Sequence, residues 1–303
     1  MNTALILHFL IFCGLAHCAN DDPLSVQWTL VDRFGFDDIT TEQLRAATDA
    51  WEIDDEPENL CQGENIFQYS CHRQSNVAVK DGCLQISASQ NGDHKSSRFL
   101  FNTGKLSSVK AWQYGRFVMR AKLPQGKLLR AVFALKPKEK VHRGTSWLDN
   151  GQINGLVYSQ QAESISAGLH YRMDHGHSYA GRKFSTKQNI TNSFHLYSVE
   201  WTNSSIRFFF DNRLFFENTV SQPFDQTFYI VLQLGVGGPE FDTRNVAVQV
   251  DDVIHWNNNQ FLIDFIEIYQ NVSANLRSSS LPHQPFLWLL FAAASCFLEL
   301  INL

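Results

Sequence analysis

No C-x-x-C pair occurs anywhere in the 303 residues, so a structural zinc site on paired thiolates has no support and no metal or cofactor is expected. No apolar period of 3.6 residues is sustained, which argues against a helical bundle. Gly/Ser-rich linkers are also missing, so nothing divides the chain into separate units. Positive charge is not in excess: the net charge of −5 leaves no basic field, which argues against a nucleic-acid partner. Six cysteines are present, and removal of processing segments at both ends leaves three, Cys61, Cys71 and Cys83, with Cys18 a fourth if the leader is cut early. Their pairing cannot be read from spacing alone.

What is there begins with those ends. Residues 1–19 contain the apolar run Ala4–Ala16 followed by small residues, the pattern of a secretory signal peptide, with cleavage after Ala19 or Ala16. At the other end stand the small triplet Ser278-Ser279-Ser280, a polar spacer within 273–285, and the hydrophobic tail 286–303. Small residues, spacer and terminal apolar tail are the arrangement that directs glycosylphosphatidylinositol attachment, here at Ser278. A membrane span is the alternative, but the tail is short, carries Glu299 and has no basic flank after it. The sequons at Asn189, Asn203 and Asn271 agree with an extracellular glycoprotein, a route that permits disulfides.

Between the ends the chain reads as many short strands. Gln27–Gly35 alternates, and Thr40-Thr41-Glu42-Gln43 has the form of a capping box ahead of the helix-prone run Leu44–Ala50. Val77–Val79 and Cys83–Ser87 flank Lys80-Asp81-Gly82, a hairpin signal. Arg98–Leu106, Tyr114–Leu123, Leu128–Leu135, Ile165–Arg172 and Phe194–Trp201 read as further strands, and Lys136–Arg143 as a basic surface loop. Ile206–Phe210 and Leu214–Glu217 form a second hairpin about Asp211-Asn212-Arg213. Phe228–Leu234 is apolar throughout, as a strand buried on both faces would be, and Phe261–Tyr269 supplies the last strand. Ten or more such strands argue for an all-β sandwich within 20–272.

Within Ser146–Ser159 (SWLDNGQINGLVYS), Gln152 and Asn154 lie two apart on a strand and share a face, and a bulge would bring Val157 onto it as well. Several stretches taken in order resemble the laminarinase-like branch of glycoside hydrolase family 16: Phe67-Gln68-Tyr69, Y-G-R-F with R-A-K-L-P over 114–124, Gly151-Gln152-Ile153-Asn154, His170-Tyr171, and Pro223-Phe224-Asp225-Gln226 through Gly237-Gly238. Within that family the chain looks closest to animal β-1,3-glucan-binding and Gram-negative-bacteria-binding proteins. The resemblance implies a jelly roll of two bent antiparallel sheets with a glycan groove on one face.

It also implies a catalytic strand of the form E-x-D-x-x-E, and the matching positions here are Gln152, Asn154 and Val157. A retaining glycosidase needs two carboxyls about 5–5.5 Å apart. An amide cannot form the glycosyl ester, and valine carries no proton. The expectation is a catalytically inactive relative that still binds β-1,3-glucan or a related microbial polysaccharide through Trp147, Gln152, Asn154, His170, Tyr171 and Gln233. The family's W-P-A-I-W segment reads Leu129-Arg130-Ala131-Val132-Phe133, which implies drift in the groove. A vestigial face serving as an interaction module at the cell surface is the alternative. Trp201 and Phe228 read as core.

Overall fold

The computed structural model describes residues 27–56, 69–92, 99–139, 147–159, 163–173, 176–238, 241, 251 and 254–271. The leader, Cys61, the tip of the basic loop, Ser278 and the C-terminal tail lie outside them. Among the described residues no helix is long and apolar enough to cross a membrane.

The chain begins with β1 (Thr29–Gly35), helix α1 (Thr41–Ala46), β2 (Trp51–Ile53), β3 (Ser70–His72), β4 (Val77–Lys80), β5 (Cys83–Gln90) and β6 (Phe101–Thr103). It continues through β7 (Lys105–Trp112), β8 (Gly115–Lys122), β9 (Leu129–Pro137), β10 (Gln152–Ser159), β11 (Ser164–Met173) and β12 (Gly176–Ser185). The last elements are β13 (His195–Trp201), β14 (Ile206–Phe210), β15 (Arg213–Asn218), β16 (Phe228–Val236) and β17 (Gln260–Gln270).

These strands make a β-sandwich of the jelly-roll kind. One sheet has ten strands, ordered β15-β14-β13-β8-β17-β5-β6-β3, with β1 on β17 and β4 on β5. The other has seven, ordered β12-β11-β10-β9-β16-β7-β2. All pairings are antiparallel except β3 with β6. The inner faces bury an aromatic-rich core that includes Phe117, Phe133, Tyr158, Tyr197, Trp201, Phe208 and Phe228, all essentially closed to solvent. Burial of side chains that large supplies most of the driving force for joining the two sheets.

Local signals set the edges of these elements. Thr40 caps α1, with Gln43 N–H donating to Thr40 Oγ1 (3.2 Å) and Thr40 N–H to Gln43 Oε1 (2.7 Å). The helix stops at Ala46, sooner than the run Leu44–Ala50 suggested, because the chain is drawn into β2 through Trp51. The β4–β5 turn places Asp81 and Gly82 at positive φ (52 and 73°), and the β14–β15 turn does the same with Asp211 and Asn212 (45 and 63°). Those angles belong to the tight hairpin turns that match strand twist.

The expected strand Arg98–Leu106 is instead two strands in different sheets, β6 and β7, separated at Gly104. A Cβ there would lie 2.7–2.8 Å from Val77, the Asn76 carbonyl and Ile86, so only glycine lets the chain cross so close to β4 and β5. Cys71 is disulfide-bonded, and Cys83 is a free thiol pushed up in pKa mainly by burial.

Candidate functional site

Residues Ser146–Ser159 do not form one strand. Trp147–Asp149 is a single 3-10 turn, and β10 starts only at Gln152. The entry to β10 is fixed from outside. Gly151 sits at φ 75°, where a Cβ would lie 2.8–2.9 Å from Phe224 and Pro223. The Gln226 amide donates to the Asn150 and Pro223 carbonyls (both 3.1 Å), and the Trp201 indole donates to the Phe224 carbonyl (3.0 Å). The P-F-D-Q segment is therefore the clamp that holds the start of β10.

Along β10 the inward side chains are Ile153, Leu156 and Tyr158, all in the core. The outward ones are Gln152, Asn154 and Val157. The register against both β9 and β11 slips after Asn154, so the strand carries the bulge that the sequence left open, and it rotates Val157 and not Leu156 onto the face of the two amides. Gly155 makes this possible: a Cβ would lie 2.8 Å from Val199 and 3.0 Å from the Phe133 ring. Two consecutive residues then crowd the inner side, and only a residue without a side chain fits the extra position.

Strand pairing lays the outer face out in transverse rows. Tyr179, His170 and Gln152 form one row across β12, β11 and β10. Gly181, Gly168, Asn154, Ala134, Val231 and Ser107 form the next. Lys183, Ser166, Val157, Val132, Gln233 and Lys105 form a third. Asn154, Val157, Val132, Ala134, Val231 and Gln233 are buried although they point away from the core, so they make a recessed floor. Gln152 and His170 are half-buried beside it, and Tyr179 stands 51% exposed at the β12 edge.

The polar groups of the floor are held. Gln152 Nε2 donates to Asn154 Oδ1 at 2.6 Å. Gln233 Nε2 meets His72 Nε2 at 3.2 Å, and His72 Nδ1 meets Thr103 Oγ1 at 3.2 Å. With the Gln233 amide donating, Nε2 accepts, so His72 is the neutral Nδ1–H tautomer and donates to Thr103. Glu56 lies next to His72, and burial raises its carboxyl above the ordinary range. Under β10 the Tyr158 hydroxyl is pushed up to about 12 by burial, and Tyr197 well above the usual phenol value.

Carboxylates are the missing chemistry. Strands β9, β10, β11, β12 and β16 contain no Asp or Glu at all. Asp149 lies on the 3-10 turn before the strand, and its carboxylate is tied to Arg172. Glu163 sits in the exposed turn before β11. No cluster of three or more metal-ligating side chains occurs among the described residues.

Several expected site residues move. Tyr171 is not on the outer face: it is 8% exposed and packs edge-on against Phe224 (5.9 Å) in the core. It follows His170 directly, and neighbours on a strand point to opposite sides, so only one of the two can face outward. Leu129 and Phe133 also point inward, so the residues found there shape the core, while Arg130 and Val132 face out. Trp147 lies on the 3-10 turn, and its side chain is outside the described set. Trp201 and Phe228 are core. Asn189 and Asn203 are exposed, and Asn271 is half-buried.

The sequence reading missed β12 with Tyr179 and His177, and also His72. The signal available was weak: in GHSYAGRKFS the odd and even positions alternate, but glycine, serine and charge dilute the pattern.

A second polar constellation lies on the ten-stranded sheet. Ser193 Oγ is 3.0 Å from His195 Nε2, and His195 Nδ1 is 2.8 Å from Asp211 Oδ2. The connectivity is that of nucleophile, base and orienting acid. The amide N–H groups beside it are committed, however, Leu196 to Asp211 Oδ1 and Asp211 to the Leu196 carbonyl, and Phe210 stacks on the imidazole at 5.1 Å. These bonds tie the start of β13 to the β14–β15 turn.

Comparison with known proteins places the chain in a family. Residues 67–234 match Glycosyl hydrolases family 16. A beta-glucanase of Rhodothermus marinus is 25% identical over 286 residues, spanning 88% of this chain and 94% of its own length. A beta-1,3-glucan-binding protein of Tenebrio molitor is 24% identical over 224 residues, 62% of this chain and 45% of its own length. Among solved structures, the laminarinase from Rhodothermus marinus superposes with a TM-score of 0.66 at 22% identity, over 80% of this chain and 98% of its own.

Proposed function

The chain belongs to glycosyl hydrolase family 16, and from that premise we propose that it recognises β-1,3-glucan or a related microbial polysaccharide on the outer face of the seven-stranded sheet without cleaving it. The observation that carries the reading is the absence of any carboxylate from the five strands around β10, together with amides at Gln152 and Asn154 and an aliphatic side chain at Val157. Double displacement at an anomeric carbon needs one carboxylate to form the glycosyl ester and a second carboxyl to protonate the leaving oxygen. Among the described residues, none of the strands β9, β10, β11, β12 and β16 offers a carboxylate for either role, and the Asp149 carboxylate beside them is tied to Arg172.

Binding needs only what is left. The Gln152–Asn154 pair keeps hydrogen-bonding capacity in a fixed orientation, His170 flanks it, and Gln233 is oriented through His72 and Thr103. A recessed floor with a few convergent polar groups is the usual make-up of a small-ligand or glycan site. The glucan-binding relative supports recognition; the glucanase relative supports a hydrolase, and the composition of the face favours the former. The leader at 1–19, the sequons and a lipid anchor at Ser278 would place the protein at the cell surface, in a role in innate immunity.

The test is sedimentation with insoluble curdlan beside a laminarin digest assayed for reducing ends. Retention on curdlan with no release of sugar is expected. Failure to bind either polymer would sink the reading in favour of a protein-interaction role. Reducing ends that disappear in Gln152→Ala would restore the hydrolase.

A further inference from the structure

Among the described residues, Tyr179 on β12 is an aromatic side chain of the outer face that stays exposed. Its ring lies flat across the sheet: a Cβ on Gly181 would fall 2.1 Å from the Tyr179 hydroxyl oxygen and 2.3 Å from Cζ, and a Cβ on Gly168 would fall 3.0 Å from Cε2. These two glycines are directly paired, so together they clear one patch of backbone in which the ring rests. The hydroxyl reaches towards the Ala167 carbonyl (3.5 Å). One face of the ring is thus against the sheet while the side chain keeps 51% of its surface exposed.

The row continues inward. The His170 ring lies 4.7 Å from Tyr179, and His170 in turn stacks on His177 at 5.2 Å with Nδ1 and Nε2 3.0 Å apart. Next to His170 comes Gln152 on β10. From Tyr179 to Gln152 is two strand spacings, about 10 Å, the reach of a disaccharide.

We infer that Tyr179, seated on Gly168 and Gly181, is a stacking platform for a pyranose ring at the β12 end of the glycan groove. This inference rests on the glycan-binding reading above and names a subsite of that face. A gluco-configured pyranose with equatorial substituents presents a flat patch of axial C–H bonds, which fits an aromatic ring laid flat on the sheet and 51% exposed. A sugar with an axial hydroxyl on that patch meets the ring with a polar group and is disfavoured. His170 and Gln152 then offer nitrogen and amide groups to the hydroxyls at the edge of the neighbouring sugar. The platform explains why two glycines stand opposite each other within the paired strands β11 and β12, where glycine is otherwise destabilising.

The experiment uses the full chain and a laminarin-oligosaccharide series, with affinity read by calorimetry and by electrophoresis in laminarin gels. Tyr179→Ala should weaken binding about tenfold, the size of a lost aromatic contact, and Tyr179→Phe should be close to the parent. Gly181→Ala, which keeps the tyrosine but lifts its ring off the sheet, should lose as much as Tyr179→Ala. Thermal unfolding of Tyr179→Ala should match the parent, because the side chain is half exposed. Unchanged affinity in Tyr179→Ala, while the parent binds, would overturn the platform and leave the wider reading intact. No binding by the parent overturns both.

Discussion

The two faces of the seven-stranded sheet are made by the same strands and yet answer to different constraints. Inward, Ile153, Leu156, Tyr158, Phe133 and Leu169 interlock with the other sheet and are closed to solvent. Outward, one residue away in each case, stand Gln152, Val157, Val132 and His170. The inner face must be filled to a high packing density, and a change of one methylene is felt there. The outer face does not pack against the other sheet, so its side chains are under weaker packing constraint. The family scaffold is thus kept with no acidic residue on β9, β10, β11, β12 or β16, because the packing that stabilises it lies on the opposite side of the sheet from the Gln152, Asn154 and Val157 face.

The sharpest way to break that comparison is to place one charge on each side of the bulge. Leu156→Glu buries a carboxylate in the core and should cost 4 kcal/mol or more, leaving no folded protein to detect by near-ultraviolet dichroism (about 4 kcal/mol marks the exceptional class of substitutions). Val157→Glu, its neighbour, faces out and should fold with a loss of about 2 kcal/mol. Equal losses in urea unfolding would show that the two faces are not separable.

Next in size is Gly155→Ala. The new methyl meets Val199 and Phe133, and overpacking of this kind costs about 2 kcal/mol. Since relief requires the bulge to shift, Val157 should rotate and glycan affinity should fall along with the melting temperature. A stable Gly155→Ala protein with unaltered binding would show that the bulge is not what orients the site.

Smaller again is Gln152→Ala on the outer face. It strands the buried Asn154 amide oxygen, a loss of about 1 kcal/mol in unfolding experiments. Glycan affinity should drop alongside. The smallest effect is one of pH, at the end of the floor beside His72. Glu56 has its carboxyl raised in the folded state from the ordinary 4.5, mainly by burial. As pH rises past that value the unfolded chain gives up the proton first, so the folded state binds more protons and stability falls until the folded carboxyl also ionises. Glu56→Gln should remove that decline. Urea midpoints measured from pH 4 upward in parent and variant should converge at the acid end and separate above it, with the variant the more stable.

Much of this was legible from local chemistry. The capping box at Thr40, the Asp81-Gly82 turn and the doubly buried run that became β16 all follow from spacing and residue type, whereas the bulge that turns Val157 outward is one of two readings between which only the strand register decides. What escaped the sequence has identifiable causes. Strand β12 is an edge strand, and its Gly, Ser, His and Lys content hides a period of two. The break at Gly104 depends on how near Val77 and Ile86 pass, residues distant in the chain.

The sequence alone determined the class of fold, the family resemblance and the absence of carboxylates at positions 152, 154 and 157, because alternation, turn residues and residue identity are local properties. Only the tertiary structure decided that Tyr171 faces the core and Tyr179 the outer face of the seven-stranded sheet, that Leu129 and Phe133 belong to the interior, and that Asp149 is tied to Arg172. Each of those outcomes depends on register between strands and on packing across two sheets, and both are set by partners far away along the chain.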